Sequence, residues 1–173
     1  MSIWSLLIPI LLLLGALVLL RSALIIIPSG ELHVVERLGR FDRVLRPGMY
    51  FLIPGIDRVA RDFSTEEEPV NLPEHDCISS EGSTVRVHGI LRYTVVDAKR
   101  AAYGVSDPAF GLLQAAQGRL RSIVERRSKR ELEQDFDLVE LALAEQLREA
   151  SRDWGLSIGQ VTLELNEAFV REA

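Results

Sequence analysis

Few side chains in this sequence have the chemistry of a catalyst: three histidines, one cysteine and carboxylates scattered along 173 residues. The densest grouping is His75-Asp76-Cys77. A thiolate beside an imidazole is the makings of a nucleophile or of half a metal site. A small membrane-tethered hydrolase would use Cys77 with His75 or His88, and that is the alternative reading for an enzyme. Catalytic partners usually converge from separate elements, however, and zinc ligation calls for a second ligand pair that the sequence does not supply. The expectation is a strand-entry loop with a small apolar cysteine. Glu66-Glu67-Glu68 forms a solvated turn in this reading, because consecutive carboxylates point in different directions. The sequence holds no G-x-x-x-x-G-K, no G-x-G-x-x-G and no H-E-x-x-H. Neither a metal nor a cofactor is expected, and the chain is read as a non-enzyme.

A second kind of chemistry is charge. Arg126, Arg127, Lys129 and Arg130 close a basic run that includes Arg119 and Arg121, a candidate surface for an acidic partner or anionic lipid heads. Glu125, Glu131 and Glu133 dilute it. The whole chain carries a formal net charge of −5, which argues against a nucleic-acid partner, since phosphates demand a basic face. One cysteine forms no internal disulfide and leaves the redox compartment open.

The elements that must position these groups begin with a greasy one. Ile3 to Leu20 is free of charge and, as a helix, spans about 27 Å, close to the hydrocarbon thickness of a bilayer. Residues 1–27 are therefore expected to be a single transmembrane anchor, with Trp4 at one interface, Leu11, Leu14 and Leu20 in lipid, and Arg21 snorkelling at the other side. In this reading the apolar stretch Ala23 to Ile27 prolongs the helix. A cleaved leader on a secreted binding domain is the competing interpretation, but no basic residue precedes Ile3. Arg21, Arg37, Arg40 and Arg43 all follow the segment, so the domain is expected on the cytoplasmic side.

Residues 28–173 are expected to form one α+β domain. Glu31 to Leu38, a turn at Gly39-Arg40 and Phe41 to Leu45 suggest a hairpin, and Arg46-Pro47-Gly48 a further turn before a short strand from Met49 to Ile53. From Thr84 to Val96 the period is two: Val85, Val87, Leu91, Tyr93 and Val95 share one face, with Gly89 in the same row marking a bulge or close packing. Asp107 is the expected N-cap of a helix opening with Pro108 and burying Phe110, Leu113, Gln117, Leu120 and Val124. A second helix carries Phe136, Val139, Leu143, Leu147, Ala150 and Trp154 and stops at Gly155 as C′. Val161, Leu163 and Leu165 return as a strand.

From Ile26 to Asp57 the residues IIPSGELHVVERLGRFDRVLRPGMYFLIPGID resemble the opening of the SPFH or band 7 superfamily of stomatin, prohibitin and flotillin, and most closely the bacterial stomatin-like slipins. The shared features are a Pro-x-Gly step, V-x-E-R-x-G-R, a P-G turn, F-L-I-P and I-D-R-V. The likeness continues through Asp97, Tyr103-Gly104-Val105, Leu120-Arg121-Ser122-Ile123 and Trp154-Gly155-Leu156. It implies a β-rich first part and a second part with helices on a sheet. It also implies a non-enzymatic homo-oligomeric scaffold on a lipid bilayer that organises microdomains and modulates membrane proteases or partners such as an NfeD-type membrane protein. Loops that rest on the bilayer in such proteins map onto Tyr50, Phe51, Leu52 and Ile53. The long helix that usually follows the last strand is missing from the sequence, which stops at Ala173, so the chain reads as a short variant or a truncated one.

Overall fold

The computed structural model describes residues 13–15, 21 and 23–166. Trp4, Leu11 and Leu20 of the expected anchor lie outside the described residues. Among the described residues no helix is long and apolar enough to cross a membrane. Leu14 and Arg21 are exposed helical residues. The chain divides into two compact units, residues 1–63 and 64–173.

The first unit is built from short strands: β1 (Leu24–Ile27), β2 (Glu31–Arg37), β3 (Arg40–Leu45), β4 (Gly48–Phe51) and β5 (Asp57–Ser64). Of the five residues expected to prolong the anchor, Ala23 is helical but Leu24–Ile27 are instead β1, which pairs antiparallel with β4 in the register Leu24↔Phe51 and Ile26↔Met49. Helical continuation loses here because a β-branched triplet ending at Pro28 suits a pleated strand, and β4 supplies the backbone partners. β3, β2 and β5 form a second small sheet, in that order. The β2–β3 turn falls on Leu38-Gly39, one residue earlier than the sequence pattern suggests, with φ of 52° and 76°. Positive φ at both central residues is the two-residue hairpin geometry that matches strand twist. A bulge leaves Asp42 of β3 without a partner opposite β2, since Val35 faces Arg43 and Glu36 faces Phe41. Ile27, Val35, Leu45 and Leu52 make the core, with Ile25, Tyr50 and Val59 packed against it.

The second unit has one antiparallel sheet, β6 (Glu68–Ile78), β7 (Thr84–Val95) and β8 (Leu156–Asn166), with β7 central. Four helices connect β7 to β8: α1 (Ala98–Gly104), α2 (Pro108–Val124), α3 (Lys129–Gln134) and α4 (Phe136–Ser151). Helix α2 packs on β6 and on α4, and α4 packs on β8. The alternation in β7 holds as expected, with Val85, Val87, Leu91, Tyr93 and Val95 buried. Gly89 sits in that row for a steric reason: a Cβ there would collide with the Thr162 carbonyl of β8. The Asp107 carboxylate accepts the Phe110 N–H and Pro108 is first in the helix, as expected.

Two stripes differ from the spacing-based reading. In α2 the buried residues are Leu112, Ala116, Leu120, Ile123 and Val124, and Phe110 is exposed. The helix serves two neighbours, β6 and α4, so its buried arc is set by both rather than by the bulkiest residues. Helix α4 ends at Ser151, not next to Gly155. Gly155, with φ of 68°, instead closes the turn before β8, and its carbonyl accepts the N–H groups of both Val96 and Asp97 at 3.0 Å. The strand expected from Val161 begins at Leu156.

Candidate membrane-contact site

In the first unit the apolar residues do not all go inside. The pairing of β1 with β4 puts Leu24, Ile26, Met49 and Phe51 on one face of a two-stranded ribbon, and Ile25 and Tyr50 on the other. The second face packs on the core. The first is open, with Ile26 68%, Met49 66% and Phe51 54% exposed. Of the four residues expected to rest on a bilayer, therefore, Phe51 and Ile53 are exposed, whereas Tyr50 is half-buried and Leu52 belongs to the core. The alternation that places Phe51 outward necessarily turns Tyr50 and Leu52 inward.

The ribbon is continuous with an apolar corner. Leu52 N–H donates to the Ala23 carbonyl at 2.7 Å, which ties the loop after β4 to the point where the chain arrives from its apolar stretch. Leu38 N–H donates to Ile56 O at 2.9 Å, bringing the hairpin tip beside the Ile53-Pro54-Gly55-Ile56 turn. Leu38, Ile53 and Ile56 are all exposed. Sequence reading missed Leu24, Ile26, Leu38, Met49 and Ile56. The signal for Leu24, Ile26 and Met49 is period-two alternation in two short strands, visible only once the pairing is known, whereas Leu38 and Ile56 lie in turns.

This corner is fastened by charge. The Asp57 carboxylate accepts Nε of Arg37 at 2.8 Å and Nη2 at 3.3 Å, together with the Ile53 N–H at 3.0 Å. Arg43 Nη2 stands 3.9 Å away. Asp42, set free by the bulge, bridges Arg43 at 2.6 Å and Arg37 at 3.6 Å. The Asp57 side chain has no solvent exposure. Its hydrogen bond from Arg37, then that from Ile53, hold the carboxyl down at about 2. The R-x-G-R and I-P-G-I-D segments are thus two halves of one clasp.

The other sequence candidates are not drawn into a catalytic arrangement. Cys77 lies within β6 opposite Val85 and is buried, and burial pushes its thiol up to about 11, so the thiolate a hydrolase would need is disfavoured. His75, on the same strand, accepts from Arg121 Nη2 at 3.3 Å. His88 points to the opposite face of the sheet from Val87 and meets Glu164 at 3.2 Å. Of the basic run, Arg126 and Arg130 are exposed around the α2–α3 turn, while the Arg127 carbonyl accepts from Ser80 N–H and Lys129 Nζ pairs with Glu133 at 3.7 Å. Asp97, Lys99, Arg100, Tyr103, Gly104 and Asp153 line an open cleft of about 570 Å³, in which Arg100 already pairs with Asp97 at 3.4 Å.

Comparison with known proteins places residues 25–165 in a match to the SPFH domain / Band 7 family. Stomatin-like protein 2, mitochondrial, of Bos taurus and that of Homo sapiens are each 31% identical over 136 residues, covering 79% of this chain and 38% of theirs. Stomatin-like protein stl-1 of Caenorhabditis elegans is 33% identical over 130 residues, or 75% of this chain and 40% of its own. An uncharacterized protein of Mycobacterium tuberculosis is 28% identical over 148 residues. The chain thus spans about two fifths of the length of the curated relatives it matches.

Proposed function

Because the chain belongs to the SPFH domain / Band 7 family, we propose that it works as a membrane-bound, non-enzymatic scaffold, assembling in many copies on one bilayer patch. The observation that carries this reading is the clustering of exposed apolar side chains at the chain-entry end of the first unit, directly after the uncharged stretch Ile3 to Leu20. Leu24 follows Leu20 by four residues, so a bilayer-embedded stretch holds β1 within about 14 Å of the hydrocarbon. The stretch acts as a single-pass anchor, with Trp4 and Arg21 at the two interfaces and the folded units on the cytoplasmic side. Multivalency then supplies the strength: modest contacts between copies become tight when all are confined to a surface. Clients, whether a membrane protease or an NfeD-type membrane protein, are gathered rather than transformed, and Arg126 and Arg130 offer them cationic contacts.

The test is carbonate extraction of membranes carrying the full chain, followed by sizing in mild detergent. Retention in the pellet and particles much larger than one chain are expected. Release into the carbonate supernatant, or a strictly monomeric particle at membrane-like concentration, would refute it.

A further inference from the structure

Helix α4 is apolar on both of its sides. Val139, Leu143, Ala144 and Leu147 are buried in the second unit, and Glu140 Oε1 accepts the Leu163 N–H of edge strand β8 at 2.6 Å, which fixes the roll of the helix. That roll leaves Leu138 and Leu141 outward, 51% and 62% exposed. Three residues apart, they are neighbours on the helix surface, and the half-buried Ala142 adjoins them. A lone exposed leucine is ordinary, but an adjacent pair inside a charged helix face is a small apolar patch with a rim.

The rim is acidic. Residues 131–149 hold seven carboxylates against a single cation, Arg148. That arginine is taken by Glu145 at 3.5 Å, and Glu133 by Lys129 at 3.7 Å. Asp135 and Asp137, which flank the two leucines around the helix axis, have no cation within ion-pair distance among the described residues. The chemistry that covers such a face is restricted. The cytoplasmic surface of a bilayer is negative and repels this rim. Two copies meeting face to face through α4 would set carboxylate against carboxylate. A cationic helix with one apolar ridge satisfies both parts, its ridge packing on Leu138 and Leu141 while its lysines or arginines meet Asp135 and Asp137. Membrane proteins carry Lys- and Arg-rich segments of this charge beside their spans on the cytoplasmic side.

Resting on the membrane reading above, we propose that the outer face of α4 is a docking site for a cationic amphipathic juxtamembrane helix of a partner membrane protein, with Leu138 and Leu141 as its apolar floor and Asp135 and Asp137 as its charge contacts. The site binds by charge complementarity around a small apolar centre, so its affinity falls as salt rises.

The experiment titrates the full chain, in mild neutral detergent, into a fluorescein-labelled helical peptide of leucine and lysine whose leucines are spaced three and four apart. A scramble of the same composition has no ridge. Saturable binding by anisotropy is expected, about tenfold tighter than for the scramble. Leu138→Gln with Leu141→Gln should weaken it about tenfold and leave the urea midpoint unchanged, since both side chains stand outside the core. Asp135→Asn with Asp137→Asn should weaken it severalfold and flatten its salt dependence. Leu141→Cys carrying an environment-sensitive fluorophore reads the other occupants, because native Cys77 is buried. The label is expected to stay open to acrylamide in detergent and on vesicles of phosphatidylcholine with phosphatidylglycerol, and to become shielded in detergent when the peptide is added. Shielding without peptide, on vesicles or rising with protein concentration, would mean that lipid or a second copy covers α4 and would overturn the inference. Equal binding of the scramble, or by the Leu138→Gln and Leu141→Gln variant, in chains that still resist carbonate, would overturn it too and leave the membrane reading standing. Chains released by carbonate would bring down both.

Discussion

The two units handle hydrophobic side chains in opposite ways. In residues 64–173 a three-stranded sheet is covered on one face by helices, and Leu112, Leu120, Val139, Leu143 and Leu147 are all sealed between the layers. In residues 1–63 the small sheets enclose a core of Ile27, Val35, Leu45 and Leu52, while Leu24, Ile26, Met49 and Phe51 stand outside it. Charge divides the same way, with a positive excess in the first unit and a negative one in the second. A contiguous apolar surface on a small unit is costly in water unless something covers it. The contrast therefore separates a unit built to be stable from one built to lie against something.

If that contrast holds, stability and membrane contact come apart by mutation. The largest effect is expected at Leu143→Ala in α4, which removes a fully buried side chain from between helix and sheet and should cost about 2–5 kcal/mol. Urea denaturation of the full chain in mild detergent reads it as a lowered midpoint, with carbonate resistance unchanged. Gly89→Ala is next. Its added methyl group meets backbone at Thr162, which cannot swing aside, so a loss of about 1–3 kcal/mol is expected by the same measurement. A neutral result at either position would mean that the second unit's packing is looser than its buried stripes imply.

Asp57 sharpens the comparison from the other side, because it stabilises an exposed corner rather than a core. Its carboxyl is held down to about 2, so its contribution is fully present above the ordinary carboxylate range and is lost as the pH falls through that value. Carboxyl titration followed by NMR should show Asp57 ionised at pH 3, where ordinary aspartates are largely protonated. Asp57→Asn should flatten the acid limb of the first unit's stability and loosen the Ile53 turn, seen as faster amide exchange at Ile53. An Asp57 titrating near its ordinary value would show that the clasp is not formed.

What was legible in the sequence follows local periodicity. The alternation in Thr84 to Val96, the Asp107-Pro108 cap and the Val139, Leu143 and Leu147 stripe are encoded within a few residues, and each is present in the fold. β1 was hidden because its partner β4 lies more than twenty residues away and its own composition suits a continued greasy helix equally well. The site suffered in the same way. Phe51 and Ile53 were identifiable as apolar, but their exposure, and the inward turn of Tyr50 and Leu52, depend on the register with β1. The sequence pattern puts Leu38 at the end of a strand, because the shift of the turn by one residue is set by strand pairing, not by its neighbours. His75-Asp76-Cys77 reads as a strand-entry loop in the sequence, whereas the segment lies inside β6, because the pairing with β7 that extends the strand to Ile78 is not written in its own residues.

The smallest stability effect is expected at Phe51→Ser, and it tests the comparison most directly. Phe51 faces away from the core across the ribbon from Leu24 and is 54% exposed, so truncating it removes no core packing. Exposed substitutions of this kind stay within about 0.5 kcal/mol of the parent. The aromatic ring is nevertheless the largest apolar group on that face, and its loss should weaken shielding of a fluorophore placed at Met49→Cys in vesicles. A drop in urea midpoint comparable to Leu143→Ala would mean that the ribbon's open face is covered by protein. Unchanged stability with reduced shielding is the signature of a face whose packing partner is lipid.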